Sequence, residues 1–266
     1  MTRKIEFNNS DISYNISGQG KAIVLLHGYL ESKEIWNSFA EELAKKFQVI
    51  VPDLPGHGKS DLTNERLSVE IMAELVKTVL DKENVSKCLL VGHSMGGYAT
   101  LAFLELYPKL LSGLTLFHSS PYPDTEEKMQ NRDREINIIR QGKKAQIYNT
   151  HFPNTFAKEN VEKFTDDIEK CKEDARDMSD DGIIAALEAM KARTDRSKIL
   201  KATKVPVQYI IGEKDNFIPM DILNKLQLPV NSEVVVLENS GHMGFVEERE
   251  NVLNAISDFA NKIYEI

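Results

Sequence analysis

The chain has 266 residues, 41% hydrophobic and 28% charged, which is material for one large domain or for one domain carrying a substantial insertion. Its net charge of −8 argues against a nucleic-acid-binding surface and against adhesion to anionic membranes. No apolar run approaches the roughly 20 residues that a membrane span needs, and the first residues lack the apolar core of a signal peptide. A cytoplasmic protein is the simplest expectation.

Ile12 to Ile16 alternates as an edge strand would, and Ala22–Leu26 is a continuous apolar strand ending at His27-Gly28. Lys33 to Lys45 has apolar residues at helical spacing. Phe47–Val51 reads as a strand stopped by Pro52, and Arg66 to Leu80 as an amphipathic helix. Lys87–Val91 is a further buried strand, followed by a helix from Gly97, and Leu114–Phe117 is another strand. From Pro121 to about Lys201 the chain is highly charged and helical in period, without a buried strand. Strand–helix alternation resumes at Val205–Gly212, with a strand at Glu233–Leu237 and a closing helix over Phe245–Tyr264. This alternation predicts an α/β protein whose mostly parallel sheet is covered on both faces. Residues 1–120 and 202–266 form its core, and 121–201 an inserted helical cap near the strand carboxyl ends, where such sheets bind ligands.

Two cysteines, Cys88 in a predicted strand and Cys171 in a charged segment read as solvent-facing, form no disulfide framework. No histidine or cysteine cluster has zinc-like spacing, so no metal is expected.

The most informative segment is Gly92-His93-Ser94-Met95-Gly96. A serine between a buried strand and a helix sits on a sharp turn that exposes its hydroxyl, and a Cβ at the flanking glycines would crowd that turn. An alcohol needs a base, and the base an orienting acid. Downstream, in the order serine, acid, histidine, stand Asp215 in Gly212-Glu213-Lys214-Asp215 and His242 in Ser240-Gly241-His242, each just after a predicted strand. Asp215 could instead cap the turn into Ile218-Pro219. Glu213 is the rival acid and Asp124 a more distant one. His57 lies in a Pro-Gly turn, His93 is expected to point away from the elbow, and His118 and His151 precede the acid. Two backbone N–H groups should hold an oxyanion: Met95, after the serine, and Tyr29 in the loop after Leu26, with Leu30 as the alternative. His27, Phe217 and Met243 are candidate pocket walls. Phe152, Phe156, Met190 and Tyr122 fit a lid lining and ordinary core equally well.

With Leu26-His27-Gly28 and Asp53-Leu54-Pro55-Gly56-His57-Gly58-Lys59-Ser60, these motifs span nearly the whole chain, which resembles the α/β-hydrolase superfamily and its small esterase-like branch. The resemblance implies an eight-stranded sheet, a helical lid and hydrolysis without a cofactor. Gly56-His57-Gly58-Lys59-Ser60 ends like a phosphate-binding loop, but Asp53 occupies the place of its first glycine. Dehalogenases and epoxide hydrolases of similar fold carry aspartate where this chain has Ser94.

The expected activity is acyl transfer from a small ester to water, by a monomer or homodimer whose partner is a small-molecule acyl substrate. Lactone hydrolysis, carbon–carbon hydrolysis and an elimination like that of menaquinone synthesis would use the same groups. Arg132, Arg140 and Arg193 are candidates to hold a substrate carboxylate. A non-catalytic ligand receptor on the same fold is the alternative from another class.

Overall fold

A computed structural model describes all residues, 1–266. Eight strands form one sheet: β1 (Thr2–Phe7), β2 (Ser10–Ser17), β3 (Ala22–Leu26), β4 (Gln48–Pro52), β5 (Cys88–His93), β6 (Leu111–Phe117), β7 (Val207–Gly212) and β8 (Ser232–Leu237). Their spatial order is β1-β2-β4-β3-β5-β6-β7-β8. β2 runs antiparallel to both its neighbours, and every other pairing is parallel. All residues of β3, β5 and β7 are buried, as strands covered on both faces must be.

The sheet has one strand more than the apolar pattern indicates. β1 is the true edge, and the segment read as an edge strand, β2, lies inside it. Thr2, Arg3 and Lys4 are exposed, so this strand shows no apolar alternation, and such charge at an edge discourages pairing with another chain. Asn8 and Asn9, both at positive φ (49° and 58°), make the two-residue turn that folds β1 back onto β2.

The helices of the core are α1 (Asn37–Leu43), α2 (Val69–Lys82) and α3 (Met95–Leu106). α2 begins three residues later than the periodicity predicts, because the Ser68 hydroxyl accepts from Ile71 N–H and caps it. Between β6 and β7 the chain runs through α4 (Glu126–Arg140), α5 (Lys144–Thr155), α6 (Thr165–Asp177), α7 (Asp180–Ala192) and α8 (Ser197–Ala202). Two short helices, α9 (Ile222–Lys225) and α10 (Gly244–Glu247), precede the terminal α11 (Arg249–Tyr264). No helix is long and apolar enough to cross a membrane. Cys171, in α6, is half-buried against the core rather than solvent-facing, and burial pushes its thiol up from the usual value.

The close approach of α3 to the sheet depends on the glycines of the elbow. A Cβ on Gly92 would lie 2.3 Å from Thr100 Oγ1, and one on Gly96 2.7 Å from the His27 carbonyl oxygen and 2.8 Å from Leu26 Cβ. Gly96→Ala is therefore expected to lower the unfolding free energy by about 1–3 kcal/mol, the usual cost of overpacking, measured by denaturant titration against the wild type.

Candidate active site

Ser94 sits between the last residue of β5 and the first of α3, at φ 49° and ψ −112°. A side chain rarely adopts this conformation, and the surrounding bonds hold it. Its N–H donates to Phe117 O at 2.9 Å, while its carbonyl accepts from Gly97 N–H at 2.9 Å and from the Ser119 hydroxyl at 2.8 Å. Met95 opens α3, so its N–H belongs to the first turn and has no partner within the helix.

Asp215 and His242 come together from the turns after β7 and β8. His242 Nδ1 lies 2.8 Å from Asp215 Oδ2; the carboxylate only accepts, so Nδ1 donates and Nε2 keeps its lone pair. The capping role considered for Asp215 is also filled, since Oδ1 accepts from Phe217 N–H at 2.8 Å and Ile218 N–H at 2.9 Å. His118 Nδ1 also approaches Oδ2, at 3.0 Å, and accepts from the Gly212 N–H at 3.2 Å. Burial alone would raise the Asp215 carboxyl, but the adjoining His242 and His118 imidazoles hold it far below the ordinary range. His118 is fully buried, which pulls its imidazole down to about 4 and keeps it neutral. Its position before the acid in the chain conceals this contact, which the parallel pairing of β6 with β7 creates. Glu213, the rival acid, is exposed, and Asp124 instead binds Arg132 and Arg193.

His118, Asp215 and His242 are the one cluster of metal-ligand composition, with donor atoms within 4.8 Å of one another. His242 Nδ1 is spent on the carboxylate oxygen and His118 Nδ1 on the Gly212 N–H, while His118 Nε2 is buried without a hydrogen-bond partner.

Ser94, Tyr29, Phe217 and His242 line one cavity of about 300 Å³, with Glu31, Tyr98, Lys128, Arg132, Glu135 and His151 among its other walls. His27 and Met243 do not line it. His27 is buried beneath the loop after β3: Nδ1 donates to Gly28 O at 2.8 Å and Nε2 accepts from Leu54 N–H at 2.9 Å, so the ring fastens that loop to the one after β4. Met243 is fully buried in the core. Of the undecided lid residues, Met190 reaches the cavity and Phe152 and Phe156 are core.

The loop after β3 turns back at Leu30, φ 61°, and carries Tyr29 past the serine. It is braced by Glu31, which accepts from Gly28 N–H at 2.5 Å and from His93 Nδ1 at 3.0 Å. His93 Nε2 donates to the His242 carbonyl at 2.9 Å, so one imidazole ties this loop to the histidine loop. Both His93 nitrogens face acceptors, which requires an imidazolium. Burial opposes the charge on each partner, but their attraction outweighs it, raising His93 and lowering Glu31.

A family model described as alpha/beta hydrolase fold matches residues 21–249, and the chain belongs to that family. Among its relatives is a 2-hydroxy-6-oxononadienedioate/2-hydroxy-6-oxononatrienedioate hydrolase of Paraburkholderia phymatum, 28% identical over 269 residues, covering 93% of this chain and 90% of the relative. A thermophilic esterase from Thermogutta terrifontis, solved with malate bound, superposes with a TM-score of 0.92 at 27% identity over 99% of both chains. The enol-lactonase from Burkholderia xenovorans LB400 shares the fold, with a TM-score of 0.90 at 20% identity over 97% of this chain and all of the other.

The Glu31–His93 pair stabilises the fold fully where both groups are charged. Glu31 contributes above its unfolded value of 4.5 and loses that contribution as pH falls through its lower folded value. His93 contributes below its unfolded value of 6.5 and loses that contribution as pH rises through its raised folded value. Glu31→Gln should cost about 3–5 kcal/mol, as breaking a buried pair does. The deficit should be largest between pH 4.5 and 6.5 and narrow above that window, which urea unfolding at a series of pH values reads.

Proposed function

We propose that this protein is a serine hydrolase that transfers an acyl group to water, with a small carboxylic ester as its substrate. Ser94 attacks the carbonyl carbon as His242 Nε2 takes its proton. Asp215 holds the imidazole in the required tautomer and stabilises the cation that forms. The N–H groups of Met95 and Tyr29 receive the oxyanion. His242 returns the proton to the departing alcohol, then draws one from the water that cleaves the acyl-serine. The observation that carries this reading is the His242–Asp215 hydrogen bond of 2.8 Å on the wall of the cavity into which a strained Ser94 opens. The esterase from Thermogutta terrifontis supports the ester substrate.

Carbon–carbon hydrolysis of a polar ketone through the same serine is the second reading. It is favoured by the polar cavity walls and by the dienedioate hydrolase among the relatives.

p-Nitrophenyl esters of rising acyl length are expected to be cleaved at short chains only, since the cavity holds about 300 Å³. Ser94→Ala should abolish turnover and labelling by a fluorophosphonate. No labelling of the wild type would refute the serine mechanism, and labelling without ester turnover would favour the second reading. Asp215→Asn should lower kcat by about 10⁴-fold through the wrong imidazole tautomer, while leaving KM within a few-fold.

A further inference from the structure

Helix α4 lays Lys128, Asn131, Arg132 and Glu135 along one stripe, at spacings of three and four residues, and that stripe faces the cavity of Ser94. Ile136 and Ile139 of the same helix are buried in the core. A cavity for a plain alkyl acyl group would be walled by apolar side chains.

The charges around this stripe are unevenly paired. Asp124, whose side chain is fully buried, serves two guanidiniums at once: Arg132, through Nε and through Nη2 at 3.3 Å, and Arg193, through Nη1 at 2.7 Å. Arg193 also stacks on the ring of Tyr98, itself a cavity wall, with its guanidinium carbon 3.9 Å from the ring centre. Lys128 Nζ has a single neutral partner, the Phe217 carbonyl at 3.1 Å. Glu31 is balanced by His93, and Glu135 meets only the Tyr29 hydroxyl, at 3.4 Å. The cavity walls themselves carry two cations, Lys128 and Arg132, and two carboxyls, Glu31 and Glu135, but Glu31 is engaged by His93, and Arg132 shares its one carboxylate, Asp124, with Arg193. Burial raises the Glu135 carboxyl, and the wall turns net positive whenever that group takes up a proton. Unpaired charge in a partly enclosed site is costly until a counter-charge arrives. Arg132 Nη1 has no protein acceptor, and Asn131 and Asn216 add side-chain amides to the same wall.

We propose that this wall is a carboxylate subsite, and that the substrate is a short acyl compound bearing a second, free carboxylate, such as the half-ester of a dicarboxylic acid. Arg132 and Lys128 hold the free carboxylate while the scissile carbonyl lies at Ser94. Hydrolysis consumes one water and releases the alcohol and the dicarboxylic acid. The inference rests on the serine-hydrolase reading for its reaction, and on the cavity charges alone for its ligand.

The test compares kcat/KM for mono-p-nitrophenyl succinate and p-nitrophenyl butyrate, which differ only in whether the acyl chain ends in a carboxylate or a methyl group. The wild type should prefer the succinate by roughly 10- to 100-fold, the size of one hydrogen bond between charged groups. Arg132→Gln should remove most of that preference through KM. Lys128→Met, at an exposed side chain whose loss does not threaten folding, should reduce it in the same direction. Equal rates on the two esters, or a preference untouched by both substitutions, overturns the subsite. Should neither ester react and no fluorophosphonate label Ser94, the hydrolase reading fails and calorimetric titration with succinate decides the subsite. Binding that weakens about tenfold in Arg132→Gln upholds it, and binding that is absent or unchanged rejects it.

Discussion

The chain passes from β5 to α3 through a single residue in a left-handed conformation, and much of the core is arranged to hold that passage in place. A residue so placed costs about 1–3 kcal/mol and persists only where its surroundings over-determine it. Here they do so from three directions. Phe117 at the end of β6 takes the Ser94 N–H, Ser119 just beyond it bonds the Ser94 carbonyl, and Gly96 lets α3 sit directly on the end of β3. The same elements carry the rest of the site, because the strands on either side of β5 end in the loops of Tyr29 and His118. A turn that aims one hydroxyl also sets where its neighbours must end.

How much of this was legible depended on whether the signal was local. The elbow, Asp215 and His242 lie within short motifs at strand ends, and a parallel sheet gathers strand ends at one edge, so their convergence followed from order alone. β1 was invisible because its exposed, charged side chains share nothing with a buried strand. The same kind of blindness misplaced His27: a histidine beside a motif looks like a pocket wall, whereas Leu54, 27 residues away, is what occupies its Nε2. Asp124, Arg132 and Arg193 form a triad of charge across 70 residues that no spacing rule connects, and His118 reaches Asp215 only because β6 and β7 pair.

Beneath the reactive groups runs a second layer of buried polarity. Lys33 and Asp53, both essentially inaccessible, pair where the chain leaves β4, and Asp53 also accepts from the backbone N–H of Lys33 at 2.8 Å and of Lys59 at 2.9 Å. Such pairs are poor sources of net stability but strict about geometry. Lys33–Asp53 and His27 fix the floor, Glu31 and His93 fix the loop above it, and the cavity takes its shape from both. In the reaction proposed above, the carbonyl would meet backbone donors whose positions were set before it arrived, which is the condition for stabilising charge without reorganisation.

One set of connections joins the cap to the loop that carries His242. Glu247 of α10 accepts from the N–H groups of Gly241 and Ala157 and from the Asn160 amide, each at 2.8 Å, while the His242 N–H donates to the Thr155 carbonyl at the end of α5. The segment after α5 and the histidine loop are thereby laced into one unit. A displacement of that segment would carry the backbone of His242 with it. Elsewhere on the cavity wall, Lys128 of α4 donates to the Phe217 carbonyl at 3.1 Å. The charge that an incoming anion would meet and the bond that joins α4 to the loop after β7 are then supplied by one residue.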